Sequence, residues 1–168
     1  RLVALDPSNA DWRTNLTVFH DRIGTILSLQ GDHAGALAAA EAILALRREA
    51  AEAAPDDLAL QHALFGDLTR VIERRRAAGD LLGALRPAQS ALDIAERLAA
   101  ADPQNADWRW SLFIAHWHMA DFVGYGIEHY GKALAVLEAL EAEGRLAPWQ
   151  AEWLEHTRTR LATMKNAL

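Results

Sequence analysis

Apolar residues return at intervals of three and four over residues 9–30, where Trp12, Leu16, Phe19, Ile23, Ile26 and Leu27 form one stripe. That spacing predicts an amphipathic helix. A second stripe follows over 33–53, made of Ala36, Leu37, Ala40, Ile43, Leu44 and Leu46, with Gly31-Asp32 as the turn and Asp32 as the cap of the new helix. Its small residues predict two antiparallel helices in close approach. The pattern then restarts with Leu60, Leu64, Leu68, Val71 and Ile72, followed by Ala84, Leu85, Ala88, Ala91, Leu92 and Ile94. A third round reads Trp108, Leu112, His116, Met119 and Val123, then Ala133, Leu134, Val136, Leu137 and Leu140. Trp153, Leu161, Met164 and Leu168 mark a last helix over 149–166.

The restart is a repeat in the literal sense. DPSNADWR at 6–13 returns as DPQNADWR at 102–109, and Pro55 falls halfway between Pro7 and Pro103, which fixes a period of 48 residues. GDHAGAL at 31–37 matches GDLLGAL at 79–85, whereas the third copy, EHYGKAL at 128–134, is one residue late and has Glu128 in place of glycine. One insertion near Gly124–Gly126 accounts for the slip. Such units are too small to bury their own apolar faces and need stacked neighbours. The chain therefore divides into residues 1–5 as the tail of a preceding helix, repeats over 6–53, 54–101 and 102–147, and a closing helix over 148–168 that opens with PWQAEW. The expected fold class is all-α, an α-solenoid of helical hairpins forming one domain.

Local signals sharpen the joints. Each Asp-Pro or Ala-Pro step breaks the helix before it, because proline has no backbone donor and biases the preceding residue away from helix. Ser8 with Asp11, Asp56 with Asp57, and Asn105 with Asp107 supply capping groups and first-turn acids for the helices that follow. Pro87 lies inside a predicted helix, where it should kink the helix or delay its start, with Gly83 easing the ring clash. Arg75 stands in the column of Leu27 and Val123, so it either snorkels or pairs with an acid such as Asp93.

Composition changes the picture mainly by exclusion. With 51% apolar and 24% charged residues the chain reads as globular, and its most apolar stretch, at 108–123, carries Arg109, Asp121 and two histidines, which argues against a membrane span. A net charge of −6 argues against an electrostatic grip on nucleic acid. The absence of cysteine excludes disulfides and thiolate metal sites and leaves the compartment open, with the cytoplasm as the default. The opening RLVAL makes the sequence read as a piece of a longer protein. No phosphate loop, G-x-S-x-G or H-E-x-x-H motif occurs, so no enzyme activity, cofactor or metal is expected. His20 and His116 share a column with Leu68, which marks a packing position, and His118 shares a column with Arg22 and Arg70, which marks a polar edge. The run RVIERRR at 70–76 reads as a solvated helix face or, alternatively, as the source of a carboxylate clamp through Arg76 beside Glu73 and Asp121.

IGTILSLQGDHAGALAAAEAIL at 23–44 resembles a tetratricopeptide repeat, with its apolar-Gly pair, Gly-Asp turn, Ala-Leu pair and the Asp-Pro joints at 6–7 and 102–103. The period exceeds the usual 34 residues by 14, as in long-repeat bacterial variants whose helices gain about two turns each. The resemblance implies a concave surface lined by the first helices of the repeats. Carried over, its ligand-facing residues are Asp21, Thr69, Glu73, Arg76, Trp110, Ile114, Trp117, Asp121 and Tyr125, with Val18, Thr25, Ser28, Leu29, Gly66 and His62 on the same stripe. The first helix of the third repeat is apolar on two faces, which requires a second packing partner. Three occupants fit: the closing helix with Trp149 and Trp153, a bound peptide or protein, or a second copy of the chain. The resemblance thus implies a protein-interaction scaffold, with a peptide or small-molecule sensor, or a self-association module, as alternatives.

Overall fold

The computed structural model describes residues 10–122 and 124–167, with side-chain surroundings from Leu16 onward. Seven α-helices follow one another: α1 (Ala10–Leu29), α2 (His33–Ala53), α3 (Leu58–Ala77), α4 (Leu81–Ala101), α5 (Ala106–Ala120), α6 (Gly126–Ala142) and α7 (Ala151–Asn166). A single 3-10 turn, Pro148–Gln150, leads into α7, and the described residues contain no strand. The joints at Pro7 and Ser8, the helix tail at 1–5, the burial of Trp12, and the roles given to Val123 and Leu168 lie outside the described residues.

The helix ends obey the local chemistry of the sequence. At the ends of α1, α3 and α6 a glycine with positive φ (Gly31, Gly79, Gly144) is followed by a residue whose N–H reaches the carbonyl five positions back, as Asp32 to Leu27 at 2.9 Å. That left-handed step satisfies the last carbonyls and lets the chain reverse within two residues. Asp32, Asp57 and Asn105 then cap α2, α3 and α5 through their side-chain oxygens. Pro87 is buried within α4, and the helix still starts at Leu81, 48 residues after His33, so no delay occurs. The third repeat departs from the other two. Glu128 cannot adopt the glycine turn cheaply, and α5 stops at Ala120 after 15 residues where α1 and α3 run for 20, with the reversal made at Gly124 (φ 87°).

The chain forms two compact units, residues 1–84 and 85–168, divided inside α4. In the first, α1 packs on α2 and α2 on α3. Its core holds Ala36, Ile43, Leu44, Leu68, Val71 and Ile72, all nearly inaccessible to solvent. The α1 stripe read from the sequence is only partly used: Phe19, Ile23 and Ile26 are exposed, and Gly24 takes the contact with α2, where an added Cβ would lie 3.3 Å from the Ala39 methyl. The backbone of α1 packs on α2, and Asp21 and Ser28 are reached by the side chains of Arg70 and Arg74 from α3.

In the second unit, α5 packs on α6, α6 on α7, and the 3-10 turn on α7. Phe113, Ala133, Leu137 and Leu154 form its centre. Trp108 and Leu112, read as core from the sequence, are only half-buried. Phe113 is fully buried in their stead, packed with Ala133, Leu137 and Leu154 at the centre of the unit. Among the described residues, no helix is long and apolar enough to cross a membrane.

Candidate interaction surfaces

The nine residues assigned to a ligand-facing surface are divided between the two units, four in residues 1–84 and five in residues 85–168. In the second unit, Trp110, Ile114 and Trp117 line the face of α5 that receives α7. Trp117 meets Trp153 edge to face at 5.2 Å, Tyr130 at 5.1 Å and His156 at 5.3 Å between ring centroids. Trp110 meets Phe113 at 4.7 Å and Trp149 at 4.9 Å. These offset and edge geometries are the ones ring quadrupoles favour. Of the three occupants weighed for this second apolar face, α7 is the one that lies there. Asp121 is the exposed cap residue of α5 and accepts the Tyr130 hydroxyl at 3.2 Å. Tyr125 is half-exposed, its ring 5.8 Å from that of His129.

In the first unit, Thr69 turns its hydroxyl onto the Gly66 carbonyl of its own helix at 2.8 Å, and Glu73 is exposed. Asp21 is engaged by Arg70 at 3.2 Å, and Arg76 is half-buried. The basic run 70–76 is therefore not a solvated face. Arg70 also binds the buried Asp67 at 2.8 Å, Arg74 donates to Ser28 Oγ at 2.6 Å, and Arg75 bonds Glu41 and Asp80 rather than Asp93. Arg47 reaches the other oxygen of Asp67 from α2 at 2.9 Å. The run ties α3 to α1 through Asp21 and Ser28 and to α2 through Glu41, partners distant along the chain that residue order does not reveal.

An apolar row missed as a surface lies along α1. Phe19, Ile23 and Ile26 are 62%, 49% and 54% exposed, and Val18 and Leu29 extend the row. Two of its three columns are closed elsewhere, by Asp67 and Val71 in α3 and by Ala115 and Met119 in α5, whereas the Ile26 column holds the half-buried Arg74 and Phe122. Arg22, also exposed, sits among the residues of the row.

Histidines supply the other polar feature of the interior. His116 on α5 and His129 on α6 are both buried and face each other with Nδ1 atoms 3.0 Å apart. Burial, reinforced by the neighbouring His129 and Lys132, lowers the His116 pKa to about 4, and burial lowers that of His129 as well. His118 is buried too, contrary to the polar edge expected of its column. Among the described residues, no group of three or more His, Cys, Asp or Glu is placed to hold a metal ion.

No protein-family model, no curated protein and no solved structure matches the chain.

Proposed function

We propose that this chain is a protein-interaction module built from long tetratricopeptide-like hairpins in a solenoid arrangement, and that α1 offers the docking face. The observation that carries the reading is the exposed Phe19–Ile23–Ile26 row, set against the buried residues that fill its first two columns in α3 and α5. A solitary exposed apolar residue is unremarkable on a protein surface, but a contiguous row on one helix face is the usual mark of a contact surface. The partner that fits is an amphipathic helix with a small or aliphatic stripe and a carboxylate opposite Arg22. Such a helix would lie on α1 as α2 lies on α3, in the helix-against-helix mode of recognition.

Selection of binders from a library of displayed amphipathic helices tests the reading. The expected result is recovery of acidic, aliphatic-striped helices that bind the protein and lose binding to Ile23→Asp, while the unfolding midpoint of that variant stays where it was. Failure to recover any such helix, or binding that survives Ile23→Asp, would count against it. The self-association alternative uses the same face and is separated by light scattering over a wide concentration range. A mass that rises with concentration in the parent protein and not in Ile23→Asp favours it.

A further inference from the structure

We propose that the buried contact between His116 and His129 is an acid-sensitive latch holding the α5–α6 hairpin closed, and that two protons release it. Two Nδ1 atoms 3.0 Å apart can be joined only if one ring presents its N–H and the other its lone pair, so the closed contact contains one shared proton. A first added proton can enter at the outer nitrogen of the donor ring and leave the bond in place. A second must land on the accepting Nδ1, and then two N–H groups oppose each other within a buried site.

The surroundings are set against that second charge. His129 lies in the first turn of α6, at the positive end of the helix dipole. The charged groups that act on the pair are Glu128 and Lys132 on α6 and Glu96 on α4. Glu128 and Lys132 bind each other at 2.6 Å, so their effects on the imidazoles largely offset. That leaves Glu96 as the further carboxylate, which favours the charged form of His129 but does not outweigh burial, and the Tyr125 ring stands beside His129. The latch sits next to the aromatic packing of the unit. Trp117 follows His116 in α5, and Tyr130 follows His129 in α6, with those two rings in edge contact. Opening the hairpin must therefore disturb the indole cluster, which makes the event visible.

The sign of the effect follows from linkage. Both histidines hold protons less readily in the folded chain than in the unfolded one, so the unfolded state takes up protons as pH falls below about 6.5, and folding weakens from there downward. His116 alone, with its folded value at about 4, makes the folded-to-unfolded ratio drop about twentyfold between about pH 7 and pH 5. His129 adds to this in the same direction.

The test compares denaturant unfolding of the parent protein with that of His116→Leu, followed through tryptophan fluorescence from neutral to mildly acidic pH. Leucine is the residue that the same column holds in α3, where Leu68 is fully buried. The expected result is a steep acid loss of stability in the parent, reduced about twentyfold in the variant over that range. An identical pH dependence in the two proteins overturns the proposal. Should the variant fail to fold, the ring-proton resonances of the parent decide. Resonances that titrate well below the usual histidine range, with the final proton coinciding with loss of the folded tryptophan signals, support the latch. Two ordinary titrations near pH 6.5 with an unchanged fold overturn it.

Discussion

Helices α1 and α5 begin from nearly the same words, ADWR at 10–13 and ADWR at 106–109, and end in opposite circumstances. Along α1 the apolar row is open to solvent and the contact with α2 rests on small residues, Gly24 against Ala36 and Ala39. Along α5 the second apolar face is closed by α7, and the contact is aromatic. The first unit instead relies on arginine ties, with Asp67 at the junction of Arg47 and Arg70. Identical starts thus yield a helix with an exposed apolar row and a helix whose second apolar face is covered. What differs is both the supply of neighbours and the rows themselves, since α5 carries a second, aromatic face that α1 lacks.

The largest expected effect tests the closed side of that contrast. Phe113→Ala removes a fully buried ring from the centre of the second unit and should lower stability by about 3–5 kcal/mol in urea unfolding. A loss comparable to that of a surface change would mean the centre lies elsewhere. Next comes Trp117→Ala. With Trp153, Tyr130, Phe113 and His156 all around its ring, truncation should lower stability by about 2–4 kcal/mol and depress the melting temperature. An unchanged melting temperature would return this face to the list of docking surfaces.

Smaller effects examine the ties and the open row. Asp67→Ala leaves two arginines without their shared carboxylate and should cost about 2 kcal/mol, with little help from added salt because the acid is buried. A variant as stable as the parent would show that the arginine ties only decorate the first unit. Last, Phe19→Ala should alter stability by no more than about 0.5 kcal/mol, since its ring is largely in water. A loss of several kcal/mol there would mean that α1 is covered in solution and that the contrast with α5 is false.

Much of this was legible from residue order. The turns at Gly31 and Gly79, the caps at Asp32, Asp57 and Asn105, and the bounds of α2 follow from local backbone chemistry that acts within four or five residues. The partners of the charged run were not legible. For Arg75 residue order leaves snorkelling or an acid such as Asp93 open, whereas the fold brings Glu41 from α2 and the following turn supplies Asp80. His118 was misread for a related reason: a column shared with arginines says how one repeat is solvated, and in the third repeat the position is buried. His129 entered no sequence-based reading at all, since its meeting with His116 exists only once α5 and α6 lie side by side.

By itself the sequence determined the helices, their joints and the period of 48, because capping, proline geometry and apolar spacing are properties of short stretches of chain. Tertiary structure alone decided which apolar face each helix buries, which acid each arginine meets, and that two histidines share one proton in the interior. Those outcomes depend on which surfaces arrive opposite one another. A stripe of side chains encodes the need for a neighbour and leaves its identity to the packing.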